Sequence, residues 1–425
     1  MPQLEPLAPT RASGAARLLA YFARLGAFGA NARFYLWGTL LLGIGQGATW
    51  VHMNLFYREN GLGEEMIGII LSTGSLGTVL CAIPAAIWID RFPAQRVFSA
   101  ASIGFGVVFT LMLLFPDTPV LLLGALLSSS LFTVHHIAAP PFFMRNANTD
   151  ERIYLFGFAN AIETAATIVG ALGVGFLARI WTASLGNNLD GLRYALLGAM
   201  ILSAFSALPY LRIRSAPPER AARSLRDYFL TDNRALLWKL TLPAALVGMG
   251  AGLIIPFLNL YFRDRFHQGP EQIGVYFAVS SALTVVGFLA GPPVARRIGS
   301  VAACVLTELL SIPFFLLLAV ADSLPMAVFA FWMRGALMNM NHPISQNFAM
   351  EVVAPHQQTV LNSMRSLAWN CSWMISTRIG GWLIQEHGFT LPMLITISLY
   401  AISAALFWHF FGGRRRPQPV SDPTR

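Results

Sequence analysis

Charged residues are scarce in this sequence. Of its 425 residues only 12% are Asp, Glu, Lys or Arg, whereas 55% are apolar, and an average soluble domain carries about 25% charged residues. A protein with so few charged residues cannot expose its whole surface to water, so lipid must solvate much of that surface. The composition therefore excludes a soluble globular protein and predicts one that is embedded in a membrane.

Cysteine is also rare, and two kinds of motif are missing. The three cysteines (Cys81, Cys304 and Cys371) lie in apolar runs without metal-ligand spacing, so we expect no disulfide, no metal and no cofactor. No glycine-rich stretch ends in Gly-Lys-Ser or Gly-Lys-Thr, so direct ATP hydrolysis is not expected. Residues 1–34 lack the compact apolar core and cleavage site of a signal peptide.

The dominant feature that is present is a long internal repeat. Residues 43–47 have glycine at alternate positions, and residues 54–59 read Asn-Leu-Phe-Tyr-Arg-Glu. The glycines return 205 positions later at 248–252, and residues 259–264 read Asn-Leu-Tyr-Phe-Arg-Asp. After a one-residue insertion the register is 206, and further positions match: Ile67-Gly68 with Ile273-Gly274, Pro119 with Pro325, His136 with His342, and Gly175 with Gly381. So long a repeat predicts two copies of one membrane-embedded unit, lying parallel in the bilayer.

Twelve apolar segments are long enough to cross a bilayer. They are residues 35–57, 67–89, 97–115, 119–143, 153–179, 192–211, 237–262, 271–294, 300–319, 325–350, 358–384 and 390–412. We therefore predict an all-α polytopic membrane protein made of two pseudo-symmetric parallel six-helix bundles. Its predicted parts are an N-terminal segment (1–34), a first bundle (35–211), a linker (212–235), a second bundle (236–412) and a tail (413–425).

The cations predict the orientation. When both termini and the linker are placed in the cytoplasm, most of the 29 Lys and Arg residues fall on that side, while Arg334, Arg365 and Arg378 lie within or at the edge of spans. The positive-inside rule favours this orientation in an inner or plasma membrane. The net charge of +9 then reflects topology and contact with anionic lipids, so no nucleic-acid partner is expected.

This arrangement resembles the major facilitator superfamily of transporters, over about residues 33–412. That family has a signature in the loop after span 2: a glycine, three residues, Asp-Arg, one residue, then a glycine and two basic residues. Asp90, Arg91 and Arg96 fit it, whereas Ala86 and Pro93 replace both glycines. The resemblance implies a bacterial-type, twelve-span secondary transporter that works by alternating access, and not an enzyme.

The resemblance also implies a gate at the cytoplasmic ends of the spans. Asp90 and Arg91 would lie there, with Asp90 facing the N-terminal end of span 11, where Arg365 is a possible direct partner. The alternative is that these residues are ordinary solvated topology charges. In span 5 the glycine ladder at 170–175 lacks the proline of the family's drug-antiporter signature, which puts antiport in doubt and favours a packing role for the glycines.

Polar and aromatic residues within the spans are the candidates for substrate binding. They are Gln46, Trp50, His135, His136, Arg334, Asn341, His342, Trp369 and Asn370. The histidines and the amide suit the wall of an inner cavity better than a zinc site, because no third anionic ligand accompanies them. Asn54 and its repeat mate Asn259 are interpreted as structural, at a helix end or a gate.

Two carboxyl groups within the spans, Glu163 and Glu308, are the candidates for proton coupling. An ionisable side chain inside a span is costly to bury and is functional by default. Arg334 has three possible partners: an anionic group of the substrate, Glu163 across the cavity, or Glu308 in a structural brace. The sequence does not decide among them.

These observations predict proton-coupled export of a small organic molecule by a monomer that also contacts membrane lipids. Uptake of a polar or anionic metabolite is the alternative, and Arg334 favours it because a cation suits an anionic substrate. A non-transporting receptor or enzyme on the same fold is a third hypothesis, but no pair of a nucleophile and a base supports it.

Overall fold

The computed structural model describes residues 28–146, 149–215, 234–353 and 355–412, which contain helices and no strand. The helices are α1 (Ala30–Glu59), α2 (Glu64–Arg91), α3 (Ala94–Leu114), α4 (Thr118–Asn146), α5 (Thr149–Leu185), α6 (Asn188–Phe205, continued by Ala207–Leu211), α7 (Arg234–Ile254, continued by the 3-10 turn Ile255–Phe257 and by Leu258–Phe266), α8 (Pro270–Ile298), α9 (Ser300–Ala319), α10 (Leu324–Val352), α11 (Pro355–His387) and α12 (Thr390–Phe411). Each predicted span falls on one of them. Most of the predicted terminal segments and linker lies outside the described residues.

Helices α1–α6 and α7–α12 form two bundles with the same internal pairing. In the first bundle α1 packs on α5 and α6, and α4 packs on α2 and α3; in the second α7 packs on α11 and α12, and α10 packs on α8 and α9. The pair α3–α6 has its counterpart in α9–α12. The predicted fold class, two six-helix bundles built on one plan, is therefore confirmed.

Three of the twelve helices are less apolar than the rest. Within the described residues, nine helices are long and apolar enough to cross a membrane, and α1, α10 and α11 are not among them. A helix in lipid satisfies its backbone internally but must turn its polar side chains towards protein or water. The composition of α1, α10 and α11 thus predicts that they line an interior cavity.

The two ends of the molecule are packed differently. We call the end where α1 and α7 begin the connector end, and the opposite end the distal end. At the distal end one hydrophobic core runs through both bundles and includes Phe56, Ile67, Phe257 and Tyr261. At the connector end each bundle has its own separate core, around Phe98 in the first and at residues 344–353 in the second. The halves are therefore joined at the distal end.

Candidate substrate cavity and its distal seal

The duplicated motif joins the two bundles at the distal end through a reciprocal pair of hydrogen bonds. The Asn54 amide on α1 donates to the Pro256 carbonyl on α7 at 2.6 Å, and the Asn259 amide on α7 donates to the Val51 carbonyl on α1 at 2.7 Å. These four positions are related by the shift of 205. Both asparagines are buried, so each bond satisfies groups that water cannot reach. The structural interpretation of Asn54 and Asn259 agrees with this contact.

Charged residues of the same motif form a second reciprocal pair. The Arg263 guanidinium lies 2.7 Å from the Glu59 carboxylate, and the Arg58 guanidinium lies 4.0 Å from the Asp264 carboxylate. Arg58 is also 3.2 Å from Glu64 of α2. We call the two asparagines and these two duplicated arginine–carboxylate pairs the distal seal.

Glycines of the repeat let further helices meet across the halves. A Cβ at Gly68 of α2 would lie 2.6 Å from the carbonyl oxygen of Thr377 on α11, and a Cβ at Gly274 of α8 would lie 2.6 Å from that of Ala171 on α5. Because no side chain fits between these backbones, α2 contacts α11 and α8 contacts α5 directly. These two contacts are again related by the repeat, at a shift of 206.

A cavity of about 530 Å³ lies in the second bundle. It extends from the connector-end halves of α10 and α11 to the break in α7, and α9 and α12 complete its wall. Among the residues predicted for substrate binding or proton coupling, six line it: Glu308, Arg334, Asn341, His342, Trp369 and Asn370. The ring of Trp369 stacks on that of Trp373 at 6.0 Å and forms an aromatic side of this cavity.

Arg334 is the buried cation of this cavity. Its side chain is 6% exposed, its guanidinium lies 5.1 Å from the centre of the Phe315 ring, and its Nε has no hydrogen-bond partner. Among the described residues neither Glu163 nor Glu308 forms an ion pair with it. Of the three predicted partners, neither protein carboxylate pairs with Arg334 among the described residues, and an anionic group of the substrate stays a prediction.

Glu308 lies in the same cavity without pairing with Arg334. Its side chain is 4% exposed, and its Oε1 has no hydrogen-bond partner among the described residues. The predicted structural brace between α9 and α10 is therefore not formed here. Arg334 and Glu308 therefore face one cavity without pairing with each other, and each has one polar atom without a hydrogen-bond partner among the described residues.

Arg365 also lines this cavity, although the sequence placed it at the gate. Its guanidinium donates to the Ser345 hydroxyl at 3.0 Å and to the Ser345 carbonyl at 3.4 Å. These bonds turn it towards α10. Arg91 is exposed at the connector end, and the side chain of Asp90 lies outside the described part of the chain, so the gate stays a prediction.

A second cavity, of about 300 Å³, lies mainly in the first bundle and is largely aromatic and apolar. Gln46 and Trp50 of α1 line it as predicted, beside Phe105, Phe109 and Phe132. Ile255 and Trp373 line both cavities. The break in α7 therefore adjoins the polar cavity of one half and the aromatic cavity of the other.

Glu163 has a partner that the sequence did not indicate. Its carboxylate lies 3.5 Å from the His136 imidazole, and the two side chains are 32% and 39% exposed. The ring of His136 also packs on Phe132 at 4.1 Å. The pair joins α4 to α5 within the first bundle, away from Arg334.

His135 does not line either cavity. It is 5% exposed, its Nε2 is hydrogen bonded to the Tyr210 hydroxyl at 2.9 Å, and its ring packs beside Tyr35 and Phe98. His136, which contacts Glu163, is not among the lining residues of either cavity, so the predicted substrate-binding role of both histidines has no support from the cavity walls. The structure places His135 in the aromatic core of the first bundle.

Comparison with known proteins agrees with this architecture. The sequence profile of the Major Facilitator Superfamily matches residues 35–356 and 240–425. The chain belongs to this superfamily. Its members are transporters, so the prediction that the protein is not an enzyme is confirmed. Among proteins of curated function, none matches the chain significantly.

Solved structures of transporters share the fold. The nucleoside transporter NupG superposes with a TM-score of 0.70 at 16% identity over 90% of this chain and 98% of that one. A bacterial homologue of the human lysosomal transporter Spinster, inward-facing and occupied, gives 0.74 at 15% over 96% and 100%. A D-xylose–proton symporter gives 0.73 at 13% over 90% and 97%. Identities this low establish the fold alone.

Proposed function

We propose that this protein is a proton-coupled secondary active transporter that moves a small organic molecule by alternating access. The membership of the superfamily supports transport. The observation that carries the site is the cavity of the second bundle, in which Arg334 and Glu308 are buried and, among the described residues, Nε of Arg334 and Oε1 of Glu308 have no hydrogen-bond partner. A buried charge without a partner is costly, and a substrate that supplies the missing partner offsets that cost.

The packing supports an inward-facing state when the connector end is placed in the cytoplasm, as the cations predict. The distal seal then lies on the outer side, and the cavity between α10 and α11 is approached from the cytoplasm. Opening the outer side requires the reciprocal contacts of Asn54 and Asn259 to part. Substrate would then enter or leave the cavity on the outer side of the membrane.

The proton site in this proposal is the Glu163–His136 pair. The two groups lie 3.5 Å apart, so a proton on either one changes the attraction between them. Both side chains are partly exposed, which leaves a route for the proton. Because α5 also contacts α8 of the other half, protonation of Glu163 can alter the contact between the two halves.

The experiment is substrate accumulation in proteoliposomes under an imposed pH gradient, measured in both directions. We expect Glu163→Gln to retain exchange of substrate but to lose accumulation driven by the gradient, because the neutral amide cannot take up and release a proton. Export remains the predicted direction. Glu386→Gln, at an exposed carboxylate near the distal end of α11, is the matched control and should behave as the wild type.

Retained accumulation would contradict the proton site. If Glu163→Gln still concentrates substrate as well as the wild type, Glu163 is not the coupling residue, and Glu308→Gln becomes the next variant. If Glu163→Gln unfolds, His136→Gln tests the same pair from its other side and should show the same loss of accumulation.

A further inference from the structure

We propose that the substrate is an amphipathic organic anion, whose negatively charged group binds Arg334 and whose apolar part occupies the aromatic cavity of the first bundle. This inference rests on the proposed transport function and adds the chemical class of the substrate. It combines two alternatives that the sequence left separate, an amphipathic compound and an anionic one.

The anionic group is indicated by the charges that face the cavity of the second bundle. Two arginines, Arg334 and Arg365, line it against one carboxyl group, Glu308. Arg365 bonds to Ser345, whereas the Nε of Arg334 bonds to nothing among the described residues. Arg334 is 6% exposed and forms no ion pair among the described residues, so its guanidinium is a preformed site for a carboxylate, sulfate or phosphate group, which it can bind through two parallel hydrogen bonds.

The apolar part is indicated by the neighbouring cavity. Its wall includes Trp50, Phe105, Phe109, Phe132 and Phe277, and no Lys, Arg, Asp or Glu among the described residues contributes to it. Aromatic walls of this kind bury a large apolar area at small entropic cost. An ion cannot be held there, but a ring or a short hydrocarbon chain can.

The two cavities are close enough for one ligand. Ile255 and Trp373 line both of them, and Trp373 stacks on Trp369 at the polar side. A molecule with its anion at Arg334 therefore meets Trp373 first and the aromatic cavity beyond it. Such a ligand also contacts both bundles at the same time, which is what alternating access requires of a substrate.

The test is binding to the purified protein in lipid nanodiscs, without any gradient. The probes are 2-naphthylacetate, its neutral amide, the corresponding amine, and acetate as an anion without an apolar part. We expect 2-naphthylacetate to bind at least about tenfold more tightly than each of the other three, since a charge-assisted hydrogen bond contributes roughly that much.

Variants separate the two parts of the site. Arg334→Gln should remove the preference for the carboxylate over the amide, and Arg334→Lys should keep part of it. Phe132→Ala should weaken 2-naphthylacetate but not acetate. Arg297→Gln, at an exposed arginine near the connector end of α8, is the matched control and should change neither preference. An unchanged thermal unfolding temperature in the nanodiscs shows that a variant is folded.

The outcomes distinguish this inference from the transport function. If 2-naphthylacetate binds no more tightly than its amide, or if Arg334→Gln keeps the carboxylate preference, the substrate class is wrong even where pH-driven flux of a neutral probe is observed. If all of the binding preferences hold but no probe is carried across proteoliposomes, the substrate class stands and the transport function fails.

Discussion

The distal seal and the two cavities differ in how the repeat is used. In the seal the same residue, or a carboxylate in both copies, occurs in both halves, and each copy binds the other half: Asn54 bonds to α7 and Asn259 bonds to α1. In the cavities the corresponding positions have different chemistry, since Arg334 corresponds to Ser128 and Trp50 to Ile255. A contact across a pseudo-two-fold axis must be complementary in both directions, whereas a binding site for an asymmetric substrate need not be symmetric.

The glycine contacts allow the strongest attempt to break this comparison. Gly68→Ala and Gly274→Ala each place a Cβ 2.6 Å from a carbonyl oxygen of the opposite half, so the helices must separate. Overpacking of this kind costs about 1–3 kcal/mol, and we expect the two variants to lower the thermal unfolding temperature in nanodiscs by similar amounts.

The control for the glycine variants is Gly173→Ala, because a Cβ there meets no atom within 4 Å. It should leave the unfolding temperature nearly unchanged. Equal stability of Gly68→Ala, Gly274→Ala and Gly173→Ala would show that the halves are not in close backbone contact at the distal end.

The asparagines sharpen the comparison, because a symmetric seal predicts equal effects. Asn54→Ala and Asn259→Ala each remove one buried hydrogen bond between the halves, which costs about 0.5–1.5 kcal/mol. Both should therefore open the seal to a similar extent. The readout is the rate at which a membrane-impermeant thiol reagent, added on the distal side, labels Ser75→Cys in the aromatic cavity.

That labelling uses a background in which the three native cysteines are replaced, and Asn60→Ala is its control. The Asn60 amide donates to Phe56 in its own helix and lies outside the seal. The reciprocal hydrogen bonds do not hold the distal end closed if Asn54→Ala and Asn259→Ala are labelled at unequal rates. The same conclusion follows if Asn60→Ala is labelled as fast as the two seal variants.

The smallest expected effect concerns the ion pairs of the seal. Arg263 lies 2.7 Å from Glu59, whereas Arg58 lies 4.0 Å from Asp264, so Arg263→Gln should increase distal labelling more than Arg58→Gln. Partly exposed pairs contribute only about 0.2–1 kcal/mol and are screened by salt. The difference between the variants should fade at high ionic strength; a difference that grows with salt would contradict the electrostatic account.

The architecture could be predicted from the sequence because it depends on patterns that one chain displays. Apolar length indicates the twelve spans, and the duplicated 43–59 and 248–264 stretches indicate the two halves. Even α1, α10 and α11, which are too polar to meet a simple criterion of apolarity, are recognisable through their place in the repeat.

The partners of the charged residues could not be predicted in the same way. The sequence shows that Glu163 and Arg334 lie within spans, but the rotation and tilt of each helix decide what they meet. Glu163 meets His136, and Arg334 lies over Phe315. The rotation of α4 likewise turns His135 towards Tyr210 and away from the cavities. Most predicted site residues nevertheless line a cavity, because a polar side chain in a span has few other places to go.

The central claim is that the duplicated residues hold the halves together at the distal end. Weakening these contacts must therefore open the distal end and close the connector end. Distances between paired spin labels test it most directly. Exposed repeat mates exist at both ends: Ser184 and Thr390 at the distal end, and Arg145 and Glu351 at the connector end. With Asn54→Ala and Asn259→Ala combined, we predict a longer distal distance and a shorter connector distance. Two unchanged distances, or two that lengthen together, would contradict the account.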